Sequence, residues 1–429
     1  MRLRELRGAL KPERAMARRE THVPVLDAIR GLAILLVLIN HFIGEIPFPN
    51  SFLGRIIDSL AKSTWVGVDL FFVLSGFLIT GILYDTLGSR NYFRAFYARR
   101  FLRIFPLYYG FLFLVIAFSR PLQIEWHGRQ YLYLAYLQNT GIARHIFSIP
   151  LSPCLSINHL WSLAVEEQFY FVWPAVVFLC RNRLRLMGLA IALVLGSIAV
   201  RILMVHLHAP LGSIYTFTPA RADSLMMGAI LALAMRSSPQ TRSSLSRAAL
   251  WVLPGSLALL LALAWPDRRL NWENARIAIF GYTLLALAGA ALIVLSLMHR
   301  RVQAAINQPV MRQLGKYSYG IYVLHYPILT FLYYLDLPGR VGFEGGALGP
   351  RLLTSATAAT ASILLAVLSF QFYESRFLRL KRYFQYEFPV LPAGLEAAAA
   401  TCQPMGGQGS APPAGECQGR ALRPGDGMP

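Results

Sequence analysis

Arg30 and His41 stand eleven residues apart in one apolar stretch running from Asp27 to Phe42. At about 100° per residue, eleven steps overshoot three helical turns by about 20°, so the two side chains share one face, about 16 Å apart along the axis. An ionisable side chain is expensive in lipid and turns to the protein interior or to a watery cavity. The pair therefore marks a lined path inside a membrane protein, with an imidazole able to do acid–base chemistry at one end.

Other polar groups lie in similarly apolar surroundings. Glu166 and Glu167 interrupt the stretch Trp161–Tyr170, and Ser162 lies one turn before Glu166 on the same helical face. If the helices of His41 and Glu166 are neighbours, the two lie at comparable depth, and the carboxylate would hold the imidazole in one tautomer. Asp27 can pair with Arg30 at i, i+3. Asp69, in Gly67–Phe77, suits a structural ion pair, while Arg221 and Asp223 read as a local pair where a span begins. Tyr319 and His325 share the stretch Tyr317–Pro327, where His325 either takes part in chemistry or hydrogen-bonds a neighbouring helix. In the run Arg99-Arg100-Phe101-Leu102-Arg103, Arg100 and Arg103 are three apart on one face. Membrane topology alone can place such a cluster, and paired arginine forks also suit a phosphate-bearing ligand.

The elements that must position these groups follow from composition. Of 429 residues 55% are hydrophobic and 14% charged, and mean hydropathy is +0.47. Soluble domains carry about a quarter charged residues, so this is an all-α, polytopic membrane chain lying in a lipid bilayer. Ten apolar segments approach spanning length: 24–46, 65–86, 104–120, 159–180, 186–205, 219–236, 249–265, 276–298, 317–335 and 351–373. The net charge of +20 is dispersed in short clusters between these segments, which argues against a nucleic-acid partner. With the N-terminus inside, 28 Lys/Arg fall on the cytoplasmic side and 10 outside, which predicts N-in, C-in topology. The first segment lacks a small-residue cleavage site and reads as a retained helix. Residues 121–158, with Trp126, Tyr131, Tyr133 and Tyr136, suit an interfacial amphipathic helix. Cys154, Cys180, Cys402 and Cys417 have neither metal-site nor disulfide-framework spacing. No internal repeat supports an inverted-repeat transporter, although buried Arg, His and Asp would also suit an exporter's proton relay.

Five stretches in this order resemble the acyltransferase-3 family of membrane O-acyltransferases: Arg30 to His41, Gly67–Phe77, Arg100–Arg103 with Pro106, Trp161–Tyr170 and Tyr317–Pro327. The resemblance spans roughly residues 22–385. It implies a ten-span core and a bacterial inner-membrane location. It also implies an acyl group, most simply acetyl, taken from cytoplasmic acyl-coenzyme A to a hydroxyl of a glycan or lipid-linked saccharide. No permanently bound cofactor and no metal are implied. Arg30 and His41 would be essential, with His41 as general base or transient acyl carrier, Arg100 and Arg103, with Arg99 beside them, would hold the donor, and Glu166 is favoured over Glu167. Three regions are expected: a basic cytoplasmic N-terminus over 1–22, a transmembrane acyltransferase domain over 23–385 and a disordered cytoplasmic tail over 386–429. Some family members carry a C-terminal SGNH hydrolase-like domain, for which the segment after the last span is too short.

Overall fold

A computed structural model of the chain describes residues 23–140, 152–267, 269–336 and 348–389. The expected N-terminal region and nearly all of the expected tail lie outside these residues. Two compact units are distinguished, Met1–Glu387 and Phe388–Pro429, and of the second only residues 388 and 389 are described.

Among the described residues the structure is helical, without strands. In chain order the α-helices are α1 (Pro24–Phe42), α2 (Phe52–Ser63), α3 (Gly67–Asp85), α4 (Tyr92–Ala117), α5 (Arg129–Leu134), α6 (Trp161–Cys180), α7 (Arg183–His206) and α8 (Leu211–Thr216). They continue as α9 (Thr218–Met235), α10 (Pro239–Ala264), α11 (Tyr282–Met298), α12 (Arg300–Ile306), α13 (Pro309–Tyr334), α14 (Leu348–Ser369) and α15 (Ser375–Arg379). Among the described residues eight helical stretches are long and apolar enough to cross a membrane, and they coincide with eight of the ten expected spans. The other two, expected at 219–236 and 317–335, are α9 with 18 residues and α13 with 26. Both are long enough to span but are diluted by polar side chains.

Three local details differ from or add to these expectations. The third span begins at Tyr92 rather than 104, so Arg99, Arg100 and Arg103 belong to turns of the spanning helix α4 itself. Residues 52–63, which lie between the first two expected spans, form α2, where Ser51 caps the Gly54 N–H. The expected interfacial helix over 121–158 is represented by the six residues of α5, and residues 141–151 are not among those described.

Two helix crossings set the positions of the polar groups. α1 packs most extensively on α13, and α3 on α9. At the first crossing the backbones come so close that a Cβ on Gly31 would collide with the Met311 carbonyl, and one on Gly315 with the Asp27 carbonyl. Gly76 and Gly228 play the same part between α3 and α9. Small residues are the usual means of close helix approach in membranes, where dispersion and not water drives association. The first crossing brings His41 against α13, and the second brings Asp69 against Arg221.

Asp69 and Arg221 form a fully buried ion pair at 2.6 Å, and Ser224 Oγ also donates to Asp69 at 3.1 Å. Arg201 and Asp223 form a second at 2.7 Å, in which Arg201 also donates to Thr283 and to the carbonyls of Ala220 and Ile279. The Arg221 guanidinium lies 4.0 Å from the centre of the Tyr282 ring. Asp69 is thus the structural partner expected, but the local Arg221–Asp223 pair is not formed. Residues two apart on a helix point about 200° away from each other, so each reaches a different neighbouring helix.

Candidate active site

A cavity of about 120 Å³ opens between α1, α3, α4, α6 and α13. Arg30 comes from α1, Arg100 and Arg103 from α4, and Ser162, Glu166 and Glu167 from α6. Tyr319 and Tyr322 line it from α13. Arg30 on α1 and two of the expected donor arginines, Arg100 and Arg103 on α4, are therefore gathered around one space. Arg99 does not line it and stacks instead toward the Tyr386 ring at 5.9 Å.

Each group is held by a neighbour. Arg30 donates to Asp27 at 2.7 Å, the i, i+3 pair expected within one helix. Arg100 lies over the Tyr170 and Phe96 rings at 5.6 and 5.9 Å, leaving its guanidinium edge to the cavity. Tyr319 donates to the Ile104 carbonyl at 2.6 Å, tying α13 to α4 beside Arg103. Ser75 Oγ donates to Glu166 Oε1 at 2.5 Å and accepts from the Tyr170 hydroxyl at 3.1 Å. Ser75 belongs to the Gly67–Phe77 motif but was not singled out; a hydroxyl one and a half turns from Asp69 carries no sequence signal until its helix is known to face α6.

The partner expected for His41 is corrected. Glu166 lies in the cavity, where Arg100 and Arg30 are the cations acting on it, and makes no hydrogen bond to His41. His41 Nδ1 instead lies 2.9 Å from His325 Nε2. Matching depth put Glu166 and His41 at one level, but α1 packs mainly on α13, so α13 supplies the partner.

The direction of that hydrogen bond follows from its surroundings. His325 Nδ1 faces the carbonyls of Tyr322 at 2.8 Å and Ile321 at 3.2 Å, which only accept, so Nδ1 carries the proton. In a neutral imidazole Nε2 is then an acceptor, and His41 must donate to it through Nδ1. His41 Nε2 is left with its lone pair and without a hydrogen bond among the described residues.

A third imidazole, not anticipated from the sequence, adjoins this pair. The rings of His159 and His325 are 5.1 Å apart, centre to centre, and His159 lies beside the backbone of Tyr322 and Val323. Pro327 has no N–H to offer the Val323 carbonyl one turn back, which opens α13 at this point. Among the described residues no three His, Cys, Asp or Glu side chains are arranged as ligands of a metal ion. The histidines and the cavity share a wall. Ser162 and Tyr322, whose hydroxyls are 2.5 Å apart, line the cavity, and the Tyr322 hydroxyl also donates to the His159 carbonyl at 2.8 Å.

The sequence pattern of the family described as an acyltransferase domain matches residues 23–380. The chain belongs to this family, the one its motifs resemble. Among its relatives are YrhL of Bacillus subtilis (strain 168), 30% identical over 72% of this chain and 49% of the relative. The peptidoglycan O-acetyltransferase OatA of Listeria monocytogenes (EGD-e) is 30% identical over 82% of this chain and 55% of its own length. The O-acetyltransferase OatA of Staphylococcus aureus (NCTC 8325) is 25% identical over 75% and 53%. The chain thus spans about half the length of these relatives. No solved structure matches it.

Proposed function

We propose that this acyltransferase-family membrane protein moves an acyl group, most simply acetyl, from acyl-coenzyme A to a hydroxyl of a cell-wall or other surface glycan. One observation carries the donor half: Arg30, Arg100 and Arg103 converge on a single cavity whose far wall, Ser162 and Tyr322, backs onto the His41–His325 pair. The three cations outnumber the two carboxylates, Glu166 and Glu167, in the same lining, which favours an anionic ligand. The names of the Listeria and Staphylococcus relatives support O-acetyl transfer and, for the first, a peptidoglycan acceptor.

In this reading the donor's phosphates lie against Arg100 and Arg103, at the side the basic clusters make cytoplasmic, and the acyl end points toward Ser162 and Tyr322. Transfer requires that wall to yield, so that the thioester meets His41. Nε2 of His41 removes the acceptor hydroxyl proton, and the oxygen attacks the acyl carbonyl. The carbon–sulfur bond then breaks, and the coenzyme A thiolate leaves with the proton that His41 gives up. His325 holds His41 with its lone pair available and supports the imidazolium once it forms.

The test uses the purified full chain in lipid nanodiscs, titrated with acetyl-coenzyme A against a soluble amino-sugar oligosaccharide. Arg100→Ala and Arg103→Ala each weaken donor affinity by about tenfold, the worth of one charge-assisted contact. His41→Ala binds donor like the parent and forms no ester. Undiminished ester formation by His41→Ala, or unchanged donor affinity in both arginine variants, overturns the reading.

A further inference from the structure

His41 has a second neighbour, outside the lining of the arginine cavity. The Tyr326 ring lies 4.6 Å from the His41 ring, centre to centre, inclined at 44°. Its hydroxyl faces the carboxylate of Glu45, three residues beyond the end of α1. Glu45 is exposed, whereas His41 and Tyr326 are partly exposed. Surrounding protein atoms nevertheless desolvate Glu45 enough to raise its carboxyl above the ordinary range, and the Tyr326 hydroxyl offsets part of this. Neither Glu45 nor Tyr326 lines the arginine cavity.

This corner combines three things. A carboxylate at the surface accepts hydrogen bonds from paired hydroxyls, and does so more strongly than a neutral acceptor. An aromatic face offers an apolar platform with a negative quadrupole to polarised C–H groups. An imidazole nitrogen with a lone pair stands beside that ring. An uncharged, polyhydroxylated ring matches all three, whereas an anionic group would be repelled by Glu45.

We propose that Glu45 and Tyr326 form the sugar subsite of the acceptor, which holds one ring against Tyr326 and directs a hydroxyl of that ring to His41 Nε2. The proposal rests on the acyltransferase function proposed above and adds where, and through which residues, the acceptor binds. Donor and acceptor then approach His41 by separate routes: the donor through the arginine cavity, the sugar over Glu45. Tyr326 is a binding and positioning residue, and Glu45 supplies the hydrogen-bond acceptor that sets the ring's orientation.

The experiment compares the parent full chain with Glu45→Gln and Tyr326→Phe in nanodiscs. It measures coenzyme A affinity by calorimetry and initial ester formation over a series of concentrations of a β-1,4-linked N-acetylglucosamine pentamer. Glu45→Gln keeps size and loses charge; its KM for the pentamer is expected to rise about tenfold with coenzyme A affinity unchanged. Tyr326→Phe keeps the platform but frees the carboxylate and is expected to raise KM less than Glu45→Gln. An unaltered KM in Glu45→Gln overturns the subsite while leaving the acyltransferase reading in place. Loss of coenzyme A affinity together with KM also overturns it, since the residue would then be structural. A parent chain that neither binds coenzyme A nor esterifies the pentamer removes the function and the subsite with it.

Discussion

The hydrogen bond between His41 and His325 has a direction because His325 has only carbonyls on its other side. His325 is thus a positioning residue, and two substitutions of it should differ. A glutamine carbonyl can accept from His41 Nδ1 much as the imidazole does, whereas alanine cannot. His325→Ala is expected to lower kcat by about 10²-fold with KM for donor little changed, in the range seen when the group that orients an imidazole is lost. His325→Gln should recover a good part of that loss, and its pH–rate profile should stay closer to the parent's. Equal losses in the two variants, measured as initial rates at saturating donor, would show that His325 serves packing alone. Glu166 illustrates the opposite case: a carboxylate at the right depth was legible in the sequence, but its partners, Ser75 and the cavity arginines, depend on which helix faces α6.

At the scale of elements, the α1–α13 crossing carries His41 to His325 and Arg30 to the cavity, and Gly31 and Gly315 make it possible. Gly315→Ala drives a methyl group into the Asp27 carbonyl, backbone that cannot step aside without moving α1. It should cost about 1–3 kcal/mol of stability by overpacking and reduce donor affinity at the same time, because Arg30 and its Asp27 partner shift with α1. Gly196→Ala on α7 is the control, since a Cβ there meets nothing within 4 Å. It should be neutral or slightly stabilising, as alanine for glycine inside a helix usually is. Thermal unfolding of the two variants in one detergent is the measurement; similar melting temperatures would remove the crossing from the account. The early start of α4 belongs to this scale too. Arg99, Arg100 and Arg103 lie ahead of the third span in a hydropathy profile, yet all three belong to that helix, and only Arg100 and Arg103 face the cavity.

Across the whole molecule, the two buried ion pairs join α3 to α9 and α7 to α9, and none of their four side chains lines the arginine cavity. Their desolvation is compensated only while both partners remain, so removing one leaves an uncompensated charge. Asp69→Ala is therefore expected to destabilise by about 3–5 kcal/mol and to reduce the amount of folded protein in the membrane. Activity per folded molecule should stay near that of the parent. Size-exclusion recovery read beside specific activity checks this: a normal yield with lost activity would move Asp69 from scaffold to chemistry.

The sequence by itself determined what depends on local order and composition. It made the chain helical and membrane-spanning, paired Asp27 with Arg30, and placed Arg30 with His41 and Arg100 with Arg103 on single helix faces. Those relations follow from the 3.6-residue period and the cost of charge in lipid, and neither needs a neighbour to be known. The tertiary structure decided every relation between helices. It gave His41 the imidazole of His325 instead of Glu166, sent Arg221 to Asp69 and Asp223 to Arg201, and set His159 and Tyr326 beside the pair. The physical reason is that an apolar periodicity fixes which face of a helix is buried but not which helix covers it. In this chain that choice rests on where glycines let two backbones meet.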